Sequence, residues 1–270
     1  MVKSGFAEFA AIVLAAGVLS PGVMAQPPSD TGTVTLYQGA YSYDVGGEFT
    51  AVTAPNLAAN YATGLGLTPT VNGLTGFQTF CIQTAVDFYP GTTYNYSTSL
   101  ASVGTPDAFT LREGTAWLYA EFASGGLGGY YNYADKGPGP SRSTDAGLLQ
   151  AAIWALQGGQ TYSDGNYASL ALTESSNPYY LLAQSALGAN LNADVTAANY
   201  AQFGVEVLNM YSGSTPSSGP AQNQLVYLGG GTAITNDSVP DGGSTLALLG
   251  VGLAGLAFFS RGLRGVKRII

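Results

Sequence analysis

The chain contains no histidine and one cysteine, and only 9% of its 270 residues are charged. A typical soluble protein has roughly 25%. Each shortage removes a class of function. Without histidine there is no Ser-His-Asp triad, no Cys-His pair and no imidazole metal site. A single cysteine makes no internal disulfide, zinc finger or iron–sulfur centre. Basic residues are scarcest, with eight Lys and Arg against sixteen Asp and Glu. Lys3, Arg261, Arg264, Lys267 and Arg268 lie near the ends, so the body keeps only Arg112, Lys136 and Arg142. Fifteen of the sixteen acids lie between residues 26 and 241, which gives that stretch a net charge near −12. Such a balance excludes nucleic-acid binding through a basic face. Among the acids, Asp87, Asp107, Glu113, Glu121 and Asp145 show no spacing that singles out an acid–base pair. Ser163-Asp164-Gly165-Asn166 is too sparse in ligands for a calcium loop. The sequence therefore predicts no metal, no cofactor and no enzyme.

What the chain has instead is glycine (38) and tyrosine (18), and apolar runs at its two ends. Residues 1–25 read as a secretory signal peptide. Lys3 supplies the positive start, Ala10–Leu19 the apolar run, and Ser20-Pro21-Gly22 breaks it before Val23-Met24-Ala25, small residues that suit a signal peptidase. Cleavage there leaves Gln26 first, followed by a leader over 26–32. At the other end Val239-Pro240-Asp241-Gly242-Gly243 precedes an uncharged stretch, Gly242–Ser260, and then the basic RGLRGVKR. Nineteen helical residues reach about 28 Å, close to the ~30 Å hydrocarbon core of a bilayer. The basic cluster stays cytoplasmic by the positive-inside rule, which leaves the body outside. A plain membrane anchor would have this form.

The tail also resembles the C-terminal sorting signal of the PEP-CTERM class, in its VPDSG variant. A short proline-containing motif, a hydrophobic helix and an arginine cluster occur in that order at the very end. Val239, Pro240, Asp241, Gly242 and Gly243 occupy the motif, with Gly242 where the variant has serine. The resemblance implies an exosortase, a membrane transpeptidase that cleaves near the motif. It also implies a Gram-negative-type bacterium that makes exopolysaccharide, with the protein released to its surface or matrix after transient anchoring by the C-terminal helix.

Between leader and linker (229–238), residues 33–228 read as one β-rich domain. Strand-like runs at 33–38, 47–52, 76–82 and 92–97 carry β-branched and aromatic residues between Gly, Asn and Pro turns. The period then changes. Residues 107–123 are helical with Asp107 as a possible N-cap, Thr144 or Asp145 caps DAGLLQAAIWALQ, and Asn177-Pro178 opens YYLLAQSALGA. Strands return at 203–211 and 223–228. The expected class is α+β: a β-sandwich or barrel with a central helical insertion, flanked by the signal peptide and the sorting helix.

Two features stand out in the body. Cys81 sits in Thr79-Phe80-Cys81-Ile82-Gln83 on a strand. In an exported protein an odd cysteine is buried, paired with another chain, or chemically capped. Gln150 is the polar residue at the start of an apolar helix, Leu149-Gln150-Ala151-Ala152-Ile153-Trp154. Read alone, it bonds to backbone or water while Trp154 anchors the core. Together, FCI and LQAAIW resemble the thioester domains of bacterial surface adhesins. The resemblance implies an internal thioester between Cys81, the thiol partner, and Gln150, the acyl donor, with Phe80, Ile153 and Trp154 packed around the bond. An amine-bearing surface ligand would then be captured covalently, with Lys136 the one lysine of the body able to compete. The expected function is adhesion or attachment at the cell surface or in a biofilm matrix. The alternative is a non-reactive, exopolysaccharide-associated protein that binds through tyrosines such as Tyr130, Tyr131, Tyr133, Tyr179 and Tyr180.

Overall fold

A computed structural model describes residues 29–44, 46–104, 108–136, 139–158 and 174–230. The expected signal peptide, the expected hydrophobic tail helix and the motif at 239–243 lie outside the described residues. Among the described residues no helix is long and apolar enough to cross a membrane.

Among the described residues eight strands are formed: β1 (Thr31–Gln38), β2 (Phe49–Ala54), β3 (Thr70–Val71), β4 (Leu74–Thr75), β5 (Phe77–Thr79), β6 (Thr93–Ser99), β7 (Val205–Tyr211) and β8 (Gln224–Tyr227). Six of them make one antiparallel sheet in the order β5-β2-β1-β6-β7-β8. Its two edges meet just past β5. There Cys81 bridges Gln224, Leu225 N–H donates to Phe80 O at 3.1 Å, and Ile82 N–H donates to Asn223 O at 3.1 Å. The sheet is thus nearly closed into a barrel, the second of the two expected architectures. Closure spares both edge strands an exposed ladder.

Alternation sets the faces. In β1 Val34 and Leu36 are buried while Thr33 and Thr35 point away, and in β6 Tyr94, Tyr96 and Thr98 are buried. Register places Val34 opposite Tyr94 and Tyr96 opposite Met210, so these residues share one apolar face. Strand β7 is buried along its whole length, because helix α1 (Glu113–Ser124) packs on it. The Asn72-Gly73 pair between β3 and β4 has φ values of 52° and 79°, the left-handed pair that a two-residue hairpin requires.

Helices α1, α2 (Arg142–Leu156) and α3 (Pro178–Leu187) lie between β6 and β7, with a short α4 (Tyr200–Phe203) before β7. The helical insertion is therefore central in the sequence, as expected, but its boundaries differ. Helix α1 starts at Glu113 rather than 107, since Thr110 and Arg112 are engaged in extended bridges to Ala101 and Asp194. Helix α2 starts earlier than expected. Ser141 is its N-cap and accepts from Thr144 N–H, so Thr144 and Asp145 fall inside the first turn. Asn177 caps α3 through bonds from Tyr179 and Tyr180 N–H, with Pro178 at the first helical position. Phe203, read as the start of a strand, ends α4, and Gly204 (φ 61°) turns the chain into β7.

Candidate functional site

The barrel seam and helix α2 meet at two side chains. Cys81 lies two residues beyond the end of β5, where the chain leaves β2 and joins β8. Gln150 is in the middle of α2, not at its start, because the Ser141 cap adds a turn to the helix. Both are fully buried. The Cys81 thiol donates to Gln150 Oε1 at 3.3 Å. Gln150 Nε2 donates to the Cys81 carbonyl at 2.6 Å. The same Oε1 accepts two backbone N–H groups, from Cys81 and from Gly47, each at 3.1 Å. The carboxamide is therefore held at both ends against the sulfur.

The surroundings are dry and aromatic. The Phe80 ring packs edge-to-face on Phe122 at 5.0 Å between centroids. It also closes over Gly47, where a β-carbon would come within 2.5 Å of Phe80 Cδ1. Only glycine fits there. Trp154 and Ile153 are buried on the same helix, one turn beyond Gln150. Burial pushes the Cys81 thiol far above its ordinary range. The Trp154 side chain, hydrogen-bonding the sulfur, opposes that rise, and the charge of Asp87 adds to it. Phe80, Cys81, Gln150, Ile153 and Trp154 are thus all in the core, with Cys81 meeting Gln150 on one side and Trp154 on another.

Residues 41–44 and 46–48 lie along α2 as a strap. Tyr41 stacks over the Arg142 guanidinium at 4.4 Å. Ser143 Oγ donates to Ser42 O at 2.9 Å, and the Tyr43 ring sits where a side chain at Gly147 would be. Glu48, next to Gly47, makes a bidentate ion pair with Arg142, with Nε to Oε1 and Nη2 to Oε2 both at 2.9 Å. Tyr131 O–H donates to the same carboxylate. The remaining guanidinium donors reach the carbonyls of Tyr133, Leu65 and Gly66. Burial pushes the Glu48 carboxyl up, and the bonds and charge of Arg142 pull it back. Sequence reasoning missed Gly47, Glu48 and the role of Arg142. The available signal was scarcity: a body with three basic residues seldom spends one on solvent, and a buried arginine needs a carboxylate.

Beside the site is a cleft of about 320 Å³ lined by Asp44, Phe49, Asp87, Phe88 and Tyr89 among others. Phe49 follows Gly47 by two residues in the chain, and Asp87 is close enough for its charge to act on the thiol. Among the described residues no group of His, Cys, Asp and Glu is arranged to hold a metal ion.

As chemistry, the arrangement has the parts of an acyl transfer: a sulfur nucleophile, a carboxamide carbonyl, and two N–H donors on the oxygen that gains charge. The comparisons with known proteins address the tail instead. Neither the curated proteins nor the solved structures returned a match to this chain. Residues 238–263 match the VPDSG-CTERM motif. The chain thus carries a PEP-CTERM-type tail of the kind sorted by an exosortase, which implies export to the cell surface or extracellular space.

Proposed function

We propose that this protein is a surface or matrix protein that attaches covalently to amine-bearing ligands through a Cys81–Gln150 thioester. The observation that carries the reading is the contact of Cys81 Sγ with Gln150 Oε1 at 3.3 Å, inside a buried site with two N–H donors on that oxygen. Formation needs no co-reactant. The sulfur adds to the Gln150 Cδ, the Cδ–Nε2 bond breaks, and the thiol proton leaves with the nitrogen as ammonia. An amine then attacks the same carbon, the C–S bond breaks, and the proton lost by the amine returns to sulfur. An isopeptide bond and a free thiol result. Burial preserves the bond, because a thioester survives only where water is kept out. The acidic, aromatic cleft with Asp44 and Asp87 suits the approach of a cationic amine.

Signal peptidase and exosortase act on the two ends in this reading, and the C-terminal helix holds the chain in the inner membrane until it is cut. The protein turns nothing over and is not an enzyme. Exposure of fresh protein to methylamine, followed by peptide mass analysis, tests it. The expected adduct is on Gln150, with one thiol released. A specific observation favours the second reading. The hydrogen bonds to Gln150 satisfy its carboxamide without any covalent bond, so an unreactive chain would use it as a clamp between the seam and α2. The exposed Tyr89 and Tyr130 would then serve exopolysaccharide binding, whereas Tyr131, Tyr133, Tyr179 and Tyr180, which the sequence suggested for that role, are buried in the core and present little surface.

A further inference from the structure

The Glu48–Arg142 pair is an unusual expense in a chain this poor in charge. Both side chains are at most 1% exposed, and among the described residues theirs is the one side-chain ion pair. A buried pair is weak evidence for stability, since apolar residues of similar volume often do as well. Its location is more informative. Arg142 begins the helix that carries Gln150, eight residues later and therefore about two turns along. Glu48 follows Gly47, whose N–H is one of the two donors on Gln150 Oε1. Gly47 has no side chain with which to hold itself in place. The ion pair thus joins the strap to the helix at a fixed distance from the reacting carbonyl.

We propose that Glu48 and Arg142, steadied by Tyr131, are positioning residues that keep the Gly47 N–H aimed at the Gln150 carbonyl oxygen, so that it stabilises the tetrahedral oxyanion in both thioester formation and amine capture. This rests on the thioester reading for its chemistry, while the aim of the Gly47 N–H is measurable without it. In each step the electron pair displaced onto Oε1 meets the N–H groups of Gly47 and Cys81, and returns as ammonia or thiolate leaves. Loss of one oxyanion donor costs about 10²–10³ in rate where it has been removed outright. A misaimed donor costs part of that.

The test uses the full chain in four forms: wild type, Glu48→Gln, Tyr131→Phe, and Phe203→Leu as a core variant on α4, outside the hydrogen bonds that join Gly47, Cys81 and Gln150. Three quantities are read: the methylamine addition rate, the carbon-13-edited infrared band of the thioester carbonyl, and hydrogen exchange at Gly47 N–H. Glu48→Gln is expected to slow methylamine addition by about 10-fold or more, move the carbonyl band to higher wavenumber and deprotect Gly47. Tyr131→Phe is expected to do the same to a smaller extent, and decides the matter if Glu48→Gln fails to fold. Phe203→Leu lowers the melting temperature with rate, band and exchange unchanged. Equal slowing in Phe203→Leu, or unchanged values in folded Glu48→Gln, overturns the assignment. If wild type never loses ammonia, the thioester reading fails by itself, and Gly47 exchange alone still tests the positioning. Protection that is unaltered in Glu48→Gln and Tyr131→Phe then overturns it.

Discussion

The backbone N–H of Gly47 reaches the side-chain carbonyl of Gln150, 103 residues further along the chain, at 3.1 Å. That bond ties the strap before β2 to the middle of α2, and it shares its acceptor with the N–H of Cys81. Three segments distant in sequence therefore converge on one oxygen atom. Convergence of this kind organises a core, and it also polarises a carbonyl.

Removing the side chain of Gln150 separates these two consequences. Gln150→Ala leaves Gly47 N–H, Cys81 N–H and Cys81 C=O buried without the partners they now have. An orphaned buried group costs about 1–3 kcal/mol. The variant is expected to stay folded with a loss of roughly 3 kcal/mol or more in urea unfolding, and to take up no methylamine. Cys81→Ala should also take up none, at a smaller cost in stability. Uptake by either variant would place the reaction elsewhere.

Gly47→Ala tests the fit of the strap. Its new methyl group would meet the Phe80 ring at 2.5 Å. Overpacking of this kind costs about 1–3 kcal/mol. The expected outcome is a lower melting temperature together with slower methylamine capture, because the strap must lift away from Gln150 to admit the group. A variant as stable and as reactive as wild type would show that the strap has slack.

Stability should fall as pH rises through neutrality, and Glu206 is the main reason. Burial pushes this carboxyl from 4.5 up to about 7; the neighbouring Thr98 and Tyr200 hydroxyls offset part of the rise, and the charge of Asp30 adds to it. The folded state thus keeps a proton that the unfolded chain has already released. The associated stability is complete below about pH 4.5 and is lost as pH climbs through about 7, by on the order of 3 kcal/mol. Glu113, Glu121 and Asp145, also raised by burial, act in the same direction. Urea midpoints at about pH 5 and about pH 8 should differ in wild type, and differ less in Glu206→Gln. An equal difference in the variant would assign the effect to the other carboxyls.

Processing of the tail has its own test. Replacing Arg261, Arg264, Lys267 and Arg268 with glutamine removes the basic cluster that follows the hydrophobic stretch. Unprocessed or misoriented protein is expected in the native host, seen as retention of Ile270 in the membrane fraction. Wild-type surface protein that still ends in Ile270 would make the segment an anchor and nothing more.

Much of the fold was legible because its signals are local. Alternation placed β1 and β6, and Asn177-Pro178 marked the start of α3. The cap of α2 was misplaced because Ser141, Thr144 and Asp145 all have cap chemistry within five residues, and only the path of the chain chooses among them. The run at 107–123 looked helical throughout, but pairing of Thr110 and Arg112 with other segments overrode that preference. Closure of the barrel was not legible. It depends on Cys81 meeting Gln224, a contact between segments far apart in sequence with no local signature. Cys81 and Gln150 were singled out by the chemistry of two short motifs. Gly47, Glu48 and Arg142 were not, since a glycine donor and a buried ion pair are properties of the assembled core.

The intact mass of freshly purified mature protein tests the thioester most directly. The account requires a species lighter than its sequence mass by one ammonia, which shifts on methylamine treatment by the mass of one methylamine and then gains one titratable thiol. A fresh, folded protein at its full sequence mass, with Cys81 alkylated on denaturation and no change with methylamine, would contradict it.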